Sequence, residues 1–287
     1  NQALLENDGH IDYQRLKKQG CKIQFYAAWI DPKYDPHGCF TRCIDIIDKF
    51  YIECEQNNIN VIKTAKDVEK GGALLSVEGG NALCGRLSAL RMLYKVGVRS
   101  LTLTWNGRNE LGVGASEGED AAGLTDVGKN VVSLMNKLGM IVDVSHLSEK
   151  GFWDVAKTSD KAFIASHSNA KKLCGHWRNL TDEQIKEIIK RNGFIGINFC
   201  SDFLREGGSK ISDIMRHIEH ILSFGGENVV GFGGDFDGVD DLPEGIFGVQ
   251  DMEKIINELL KQNYHETVIN NILYGNLDRT LKLILKN

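Results

Sequence analysis

Prolines, long apolar runs and clusters of positive charge are all scarce in this sequence. Only 3 of the 287 residues are proline, and no proline-rich or low-complexity linker interrupts the chain. We therefore predict a single domain over residues 1–287. No apolar run approaches the roughly 20 residues that a membrane-spanning helix needs. Lysine and arginine are dispersed and the net charge is -5, so we expect no nucleic-acid partner.

The cysteines do not form a recognisable framework. There are 7 of them, an odd number, and their spacing is irregular. This argues against complete disulfide pairing and fits a reducing compartment. No basic and apolar signal segment opens the chain, so we expect a cytoplasmic protein without a membrane segment. Because the chain starts at Asn1 rather than at a methionine, the expectation allows for missing upstream residues, including a targeting segment.

Short apolar runs alternate with longer amphipathic stretches along the whole chain. This alternation is typical of repeated βα units around a parallel sheet. Eight strands are predicted, at residues 3–10, 23–29, 73–78, 100–105, 141–146, 163–167, 194–199 and 229–235. Helices are predicted at 41–56, 86–96, 125–138, 148–157, 181–191, 211–224, 252–262 and 264–285. A doubly wound open sheet has the same alternation, but eight strands favour a closed (β/α)8 barrel of the TIM type.

Residues that can bind a metal close five of the predicted strands. In a parallel barrel the carboxyl ends of the strands meet on one rim, and active sites lie there. The rim is predicted to carry His10, Asp12, Glu78, His146, His167 and Asp235. Imidazole nitrogens and carboxylate oxygens are common zinc ligands. The sequence therefore predicts a metal site at the carboxyl ends of the strands.

No single one of these residues indicates a metal site by itself, and the prediction rests on their occurrence together. His10 and Asp12 alternate along an extended segment, so both can face one cation. Glu78 precedes two glycines, which favours a crowded site, and a carboxylate can bridge two metals about 3.5 to 4 Å apart. Taken singly, each also suits a structural role, as a strand cap, a core histidine or a surface carboxylate. Recurrence at equivalent strand ends favours metal binding.

Six segments resemble motifs of the membrane (renal-type) dipeptidases, a family of zinc-dependent barrel amidohydrolases, and they occur in the family's order. The segments are DGHID from residue 8, LSVEG from 75, DVSH from 143, SHSN from 166, RNLTD from 178 and GDFDG from 234. The resemblance covers nearly the whole chain. It implies a metallopeptidase that hydrolyses dipeptides, including those with a C-terminal D-residue, by means of a hydroxide that bridges two zinc ions.

The resemblance also assigns roles to single residues. The zinc ligands that it implies are His10, Asp12, Glu78, His146 and His167, with Glu78 bridging two Zn²⁺ ions per chain. Asp235 is implied to move protons during the reaction. Arg178 is implied to bind the substrate carboxylate, which agrees with the planar, bidentate geometry of a guanidinium group.

One position departs from the family's pattern. Better-known animal members carry a substrate-contacting histidine directly after the TLT segment at 102–104, where this chain has Trp105. Asn106 is a candidate for the missing substrate contact, as are Arg108 and Asn109, and zinc alone is the other alternative. Side-chain and stereochemical preference stay open.

Alternatives for function and assembly also remain. Another binuclear metal hydrolase, such as a lactonase or a deacetylase, has the same metal centre but a different substrate. A non-catalytic binding protein is the alternative from another class, although every expected ligand is present. A homodimer is an open alternative for the assembly.

Overall fold

The computed structural model describes residues 3–34 and 38–287. Contacts divide the chain into two compact units. Unit 1 comprises Asn1–Lys22 and Ala165–Arg279, and unit 2 comprises Ile23–Ile164 and Thr280–Asn287. Among the described residues, no helix combines the length and the apolar character that crossing a bilayer requires.

The described residues form seven strands in one sheet, and the order of the strands follows the chain. They are β1 (Ile23–Trp29), β2 (Gly72–Glu78), β3 (Ser100–Thr102), β4 (Ile141–Asp143), β5 (Ile164–Ala165), β6 (Phe194–Ile197) and β7 (Val230–Phe232). Neighbours from β1 to β5 pair in parallel, as do β6 and β7. The α/β prediction is confirmed. A doubly wound sheet reverses its strand order, so the sequential order argues against that alternative.

Helices alternate with the strands, as the amphipathic stretches predict, and further helices precede β1 and follow β7. They are α1 (Tyr13–Lys18), α2 (Cys39–Gln56), α3 (Asp67–Lys70), α4 (Leu87–Lys95), α5 (Asp126–Leu138), α6 (Glu149–Thr158), α7 (Asp182–Lys190), α8 (Ser201–Leu204), α9 (Ile211–Leu222), α10 (Met252–Lys261), α11 (Glu266–Asn270) and α12 (Asn276–Ile284). The side chains of Thr181 and Gln184 form a capping box at the start of α7. Gly139 ends α5 in the left-handed conformation.

The strands of unit 2 end at a common level. Trp29 pairs in register with Glu78, and Glu78 pairs with Thr102. Thr102 pairs in turn with Asp143. Residues paired in this way project to the same face of a sheet. The register therefore brings the side chains at the ends of β1 to β4 to one edge of the sheet.

The prediction of a first strand at residues 3–10 is wrong, because this segment turns instead of extending. The Asn7 side chain donates to the carbonyls of Ala3 and Ile11 and accepts the N–H of Gly9. Such side-chain bonds to nearby backbone stabilise turns in preference to strands. Asp12 then caps the first turn of α1 by accepting from the N–H of Arg15. Seven strands rather than eight are thus found in the described ranges.

Unit 1 contains a close approach of backbones that only glycine permits. A Cβ on Gly233 would lie 1.9 Å from the carbonyl oxygen of Ser166, and one on Gly196 would lie 2.0 Å from the same oxygen. Both contacts are with backbone, which cannot move aside as the end of a flexible side chain can. This packing sets the distance between β6, β7 and the segment that follows β5.

We therefore expect Gly233→Ala to destabilise the protein by about 1 to 3 kcal/mol or more, as overpacking does. The matched control is Gly175→Ala, because a Cβ there meets no atom within 4 Å. Urea denaturation followed by circular dichroism measures both variants. Equal midpoints for the two variants would contradict the close packing.

Candidate active site

Unit 2 brings two of the predicted ligands into direct contact. Glu78 closes β2, and His146 follows β4. The Nε2 atom of His146 lies 2.9 Å from the Oε1 atom of Glu78. Both side chains are largely shielded from solvent, with 8% and 14% of their surfaces exposed. The strand ends thus place an imidazole nitrogen against a carboxylate, as the sequence predicts.

The contact made by the second ring nitrogen of His146, Nδ1, indicates which group can lie between Nε2 and the carboxylate of Glu78. Its Nδ1 atom lies 2.9 Å from Oδ1 of Asn106. When Nδ1 carries the proton and donates it to this oxygen, Nε2 of a neutral imidazole presents a lone pair to the carboxylate of Glu78. Two lone-pair atoms at 2.9 Å require a proton or a cation between them. The donor set therefore fits a metal, because ligating histidines commonly donate their other N–H to an oxygen acceptor.

A buried polar contact holds the turn that carries His146. Thr102 donates its hydroxyl to Oδ2 of Asp143 at 2.7 Å, and Oδ1 of Asp143 accepts the N–H of Ser145. His146 itself has a positive φ of 67°, a conformation that non-glycine residues adopt rarely and at some cost. The surrounding bonds stabilise this conformation, which turns the imidazole towards Glu78.

In unit 1, His10 and Asp12 lie before α1 and at its N-cap. The backbone N–H of His10 donates to Oδ1 of Asp237 at 2.6 Å, and the backbone N–H of Asp237 donates to Nδ1 of His10 at 3.2 Å. Burial raises the pKa of the Asp12 carboxyl, but hydrogen bonds from the backbone and the guanidinium of Arg15, together with its charge, hold that pKa below the ordinary value. Asp12 is therefore held as a carboxylate, the form that a metal ligand must have.

Two further predicted residues of unit 1 contact each other. Arg178 is buried, with 4% of its surface exposed, and its Nη2 donates to the carbonyl oxygen of His167 at 3.3 Å. The guanidinium carbon lies 5.6 Å from the centre of the Phe203 ring. Nδ1 of His167 lies 2.7 Å from the hydroxyl of Ser166. Ser166 thus orients the imidazole of His167. The amide of Asn106 orients the imidazole of His146 in unit 2 in the same way.

Asp235 has a partner that the sequence interpretation missed. Asn198, fully buried directly after β6, donates its side-chain N–H to Oδ2 of Asp235 at 3.0 Å. Oδ1 of Asn198 accepts from the N–H of Cys200, so the amide cannot rotate freely. Asn198 closes an apolar strand, which is the same signal that singled out Glu78. Applying it to amides as well as to carboxylates and histidines would have found this residue.

The chain matches a family of known enzymes. A family model described as membrane dipeptidase (peptidase family M19) matches residues 2–286. The chain belongs to the membrane dipeptidase family. The predicted resemblance is therefore confirmed, as is the prediction of a membrane-dipeptidase-like metallopeptidase at the level of the family.

Relatives in the family differ in how much is known of them. An uncharacterised protein encoded in the pqqA 5′ region of Klebsiella pneumoniae is 37% identical over 216 residues, which cover 72% of this chain and 79% of that protein. Dipeptidase 3 of Mus musculus is 30% identical over 292 residues, which cover 96% of this chain. The match spans 58% of the length of the mouse protein.

Solved structures of the family share the fold. Dipeptidase AC, a metallopeptidase of family M19, superposes with a TM-score of 0.92 at 28% identity, covering 98% of this chain and 91% of that one. A metallopeptidase from Rhodobacter sphaeroides, bound to a phosphinate mimic of the dipeptide L-Ala-D-Ala, superposes with a TM-score of 0.91 at 27% identity. That match covers 97% of this chain and 91% of the other.

The contact between Asn106 and His146 yields a prediction about metal affinity. We expect Asn106→Ala to weaken zinc binding by about 10- to 100-fold, as the loss of such orienting partners typically does. The control is Asn136→Ala, which removes an amide of α5 that bonds to Ser159. Competition with a fluorescent zinc chelator measures both affinities. An unchanged affinity in Asn106→Ala would show that the amide does not orient a metal ligand.

Proposed function

We propose that this chain is a zinc-dependent dipeptidase that hydrolyses the peptide bond of dipeptides, including those with a C-terminal D-residue. The observation that carries the proposal is the contact of 2.9 Å between Glu78 and Nε2 of His146 in a chain of the membrane dipeptidase family. The Rhodobacter sphaeroides relative binds a mimic of L-Ala-D-Ala, which supports the stereochemical part of the proposal.

We further propose the complete set of metal ligands and the shape of the scaffold. His10, Asp12, Glu78, His146 and His167 would hold two zinc ions, and Glu78 would be a ligand of both. The scaffold is a TIM-type barrel with the metal site at the carboxyl ends of its strands, as is usual for active sites of that fold. The ionised state of Asp12 and the bonds that orient the two imidazoles support this set.

The residues of the chain would divide the chemistry as follows. Zinc, when bound by these residues, would lower the pKa of a water molecule towards neutrality and place positive charge beside the scissile carbonyl. Asp235, oriented by Asn198, accepts the proton of the attacking water and passes it to the departing amine. Arg178 binds the C-terminal carboxylate of the substrate, and its burial strengthens that charged contact. Asn106, which contacts His146, stays a candidate for the substrate carbonyl.

Three expectations from the sequence stay proposals about the whole protein. They are a single catalytic domain over residues 1–287, a cytoplasmic location and assembly as a homodimer. The first two follow from composition, and the homodimer is an open alternative.

Turnover of dipeptides by zinc-loaded protein tests the function. We expect hydrolysis of L-Ala-L-Ala or L-Ala-D-Ala, about two zinc ions per chain by elemental analysis, and loss of turnover in Glu78→Gln, because a neutral amide is a poor bridge between cations. The control is Glu258→Gln, which changes a residue paired with Lys261 on α10. Near-normal turnover in folded Glu78→Gln would remove Glu78 from the centre.

The role of Arg178 separates a dipeptidase from a lactonase or a deacetylase. We expect Arg178→Met to lose most of the preference for a dipeptide over its C-terminal amide, because a charge-assisted hydrogen bond contributes about 1.5 to 3 kcal/mol, or roughly 10- to 150-fold. The acid-to-amide ratio of kcat/KM is measured within each variant, which corrects for differences in folding. The control is Arg216→Met, an exposed arginine paired with Asp213. An unchanged ratio in Arg178→Met would favour the alternative hydrolases.

A further inference from the structure

Two tryptophans pack together at the end of the sheet in unit 2 although neither is buried. Trp29 is the last residue of β1 and keeps 38% of its surface exposed. Trp105 follows β3 and is half-buried. Their ring centroids are 5.2 Å apart and the ring planes make an angle of 67°. Adjoining aromatic rings that stay partly open to water can serve as a binding surface for an apolar group.

The pair lies directly beside the contact between Glu78 and His146. Trp29 is the register partner of Glu78 on the neighbouring strand, so their side chains emerge from the same face. The ring of Trp105 lies 6.4 Å from the ring of His146. The two indoles therefore line the same edge of unit 2 as the predicted ligands.

The loop that carries Trp105 is held by its own backbone. A Cβ on Gly114 would lie 2.3 Å from the carbonyl oxygen of Trp105 and 2.1 Å from that of Asn106. The N–H of Gly114 donates to Gly107 at 3.0 Å, and the N–H of Ala115 donates to the carbonyl of His146 at 2.7 Å. The loop that presents the indole is thus tied to the segment of a predicted metal ligand, so little backbone freedom remains to be lost when a ligand covers the indole.

We propose that Trp29 and Trp105 determine specificity by forming an apolar wall that receives a large side chain of the substrate, with aromatic side chains preferred. This inference rests on the proposed dipeptidase function. Edge-to-face aromatic contacts and the covered apolar area both favour such a side chain over that of alanine. The substrate class is therefore a dipeptide with an aromatic or large aliphatic residue in at least one position.

The test compares kcat/KM for Phe-Ala, Ala-Phe and Ala-Ala in the zinc-loaded enzyme. In Trp105→Ala and in Trp29→Ala we expect the ratio of at least one aromatic dipeptide to Ala-Ala to fall by roughly tenfold, chiefly through KM. Trp105→Phe should retain most of the ratio. The matched control is Trp153→Ala, which removes a half-buried tryptophan of α6 that packs on Phe152 and should leave the ratio unchanged.

Two results would overturn the proposal. An equal loss for all three dipeptides in Trp105→Ala would show that the indole only positions His146. A wild-type preference for Lys-Ala over Phe-Ala that disappears in the same variant would show that the wall binds a cation instead.

Failure of the dipeptidase function itself is recognised separately, because wild-type protein would then hydrolyse none of the dipeptides. In that case isothermal titration calorimetry with Phe-Ala decides the inference. Binding that is roughly tenfold weaker in Trp105→Ala supports the aromatic wall, whereas equal affinity in the variant, or no binding to wild type, contradicts it.

Discussion

The parallel register of β1 to β4 is the constraint on which the rest of unit 2 depends. Backbone hydrogen bonds align Trp29, Glu78, Thr102 and Asp143 at one level. Because the backbone hydrogen bonds between the strands fix this register, a shift of one strand relative to its neighbour would break several of these bonds. The position of Glu78 relative to the loops after β3 and β4 is therefore a property of the sheet.

Polar side chains near the strand ends orient the residues that are proposed to bind metal or to transfer protons. Thr102 and Asp143 fix the turn before His146, and Asn106 holds the far side of its imidazole. Unit 1 uses the same strategy with other residues, because Ser166 contacts His167 and Asn198 contacts Asp235. In each case a small neutral group orients a residue that is able to carry charge or bind a cation. Neutral partners suit this task because they add no charge of their own to the site.

The sequence predicted much of the sheet because strand periodicity and strand ends are local signals. It placed the strands that end near Glu78 and His146, and the structure brings these two side chains together. It failed at residues 3–10, where the bonds of Asn7 override the apolar pattern. It also missed that Asn106 contacts His146 across 40 positions of sequence, since periodicity carries no information about which loops meet.

Positive φ angles occur at His146 and Asp235, two residues that the sequence predicts for the active site, and at Asp237. Among non-glycine residues, asparagine, aspartate and histidine adopt this conformation most readily. The backbone therefore restricts which residues could replace His146, a proposed metal ligand, in the course of evolution or in the laboratory. Aspartate would keep the local conformation at low cost and offer a harder oxygen donor, whereas a β-branched residue would distort the turn. Variants of the proposed metal centre at this position should consequently be limited to the few side chains that the left-handed region accepts.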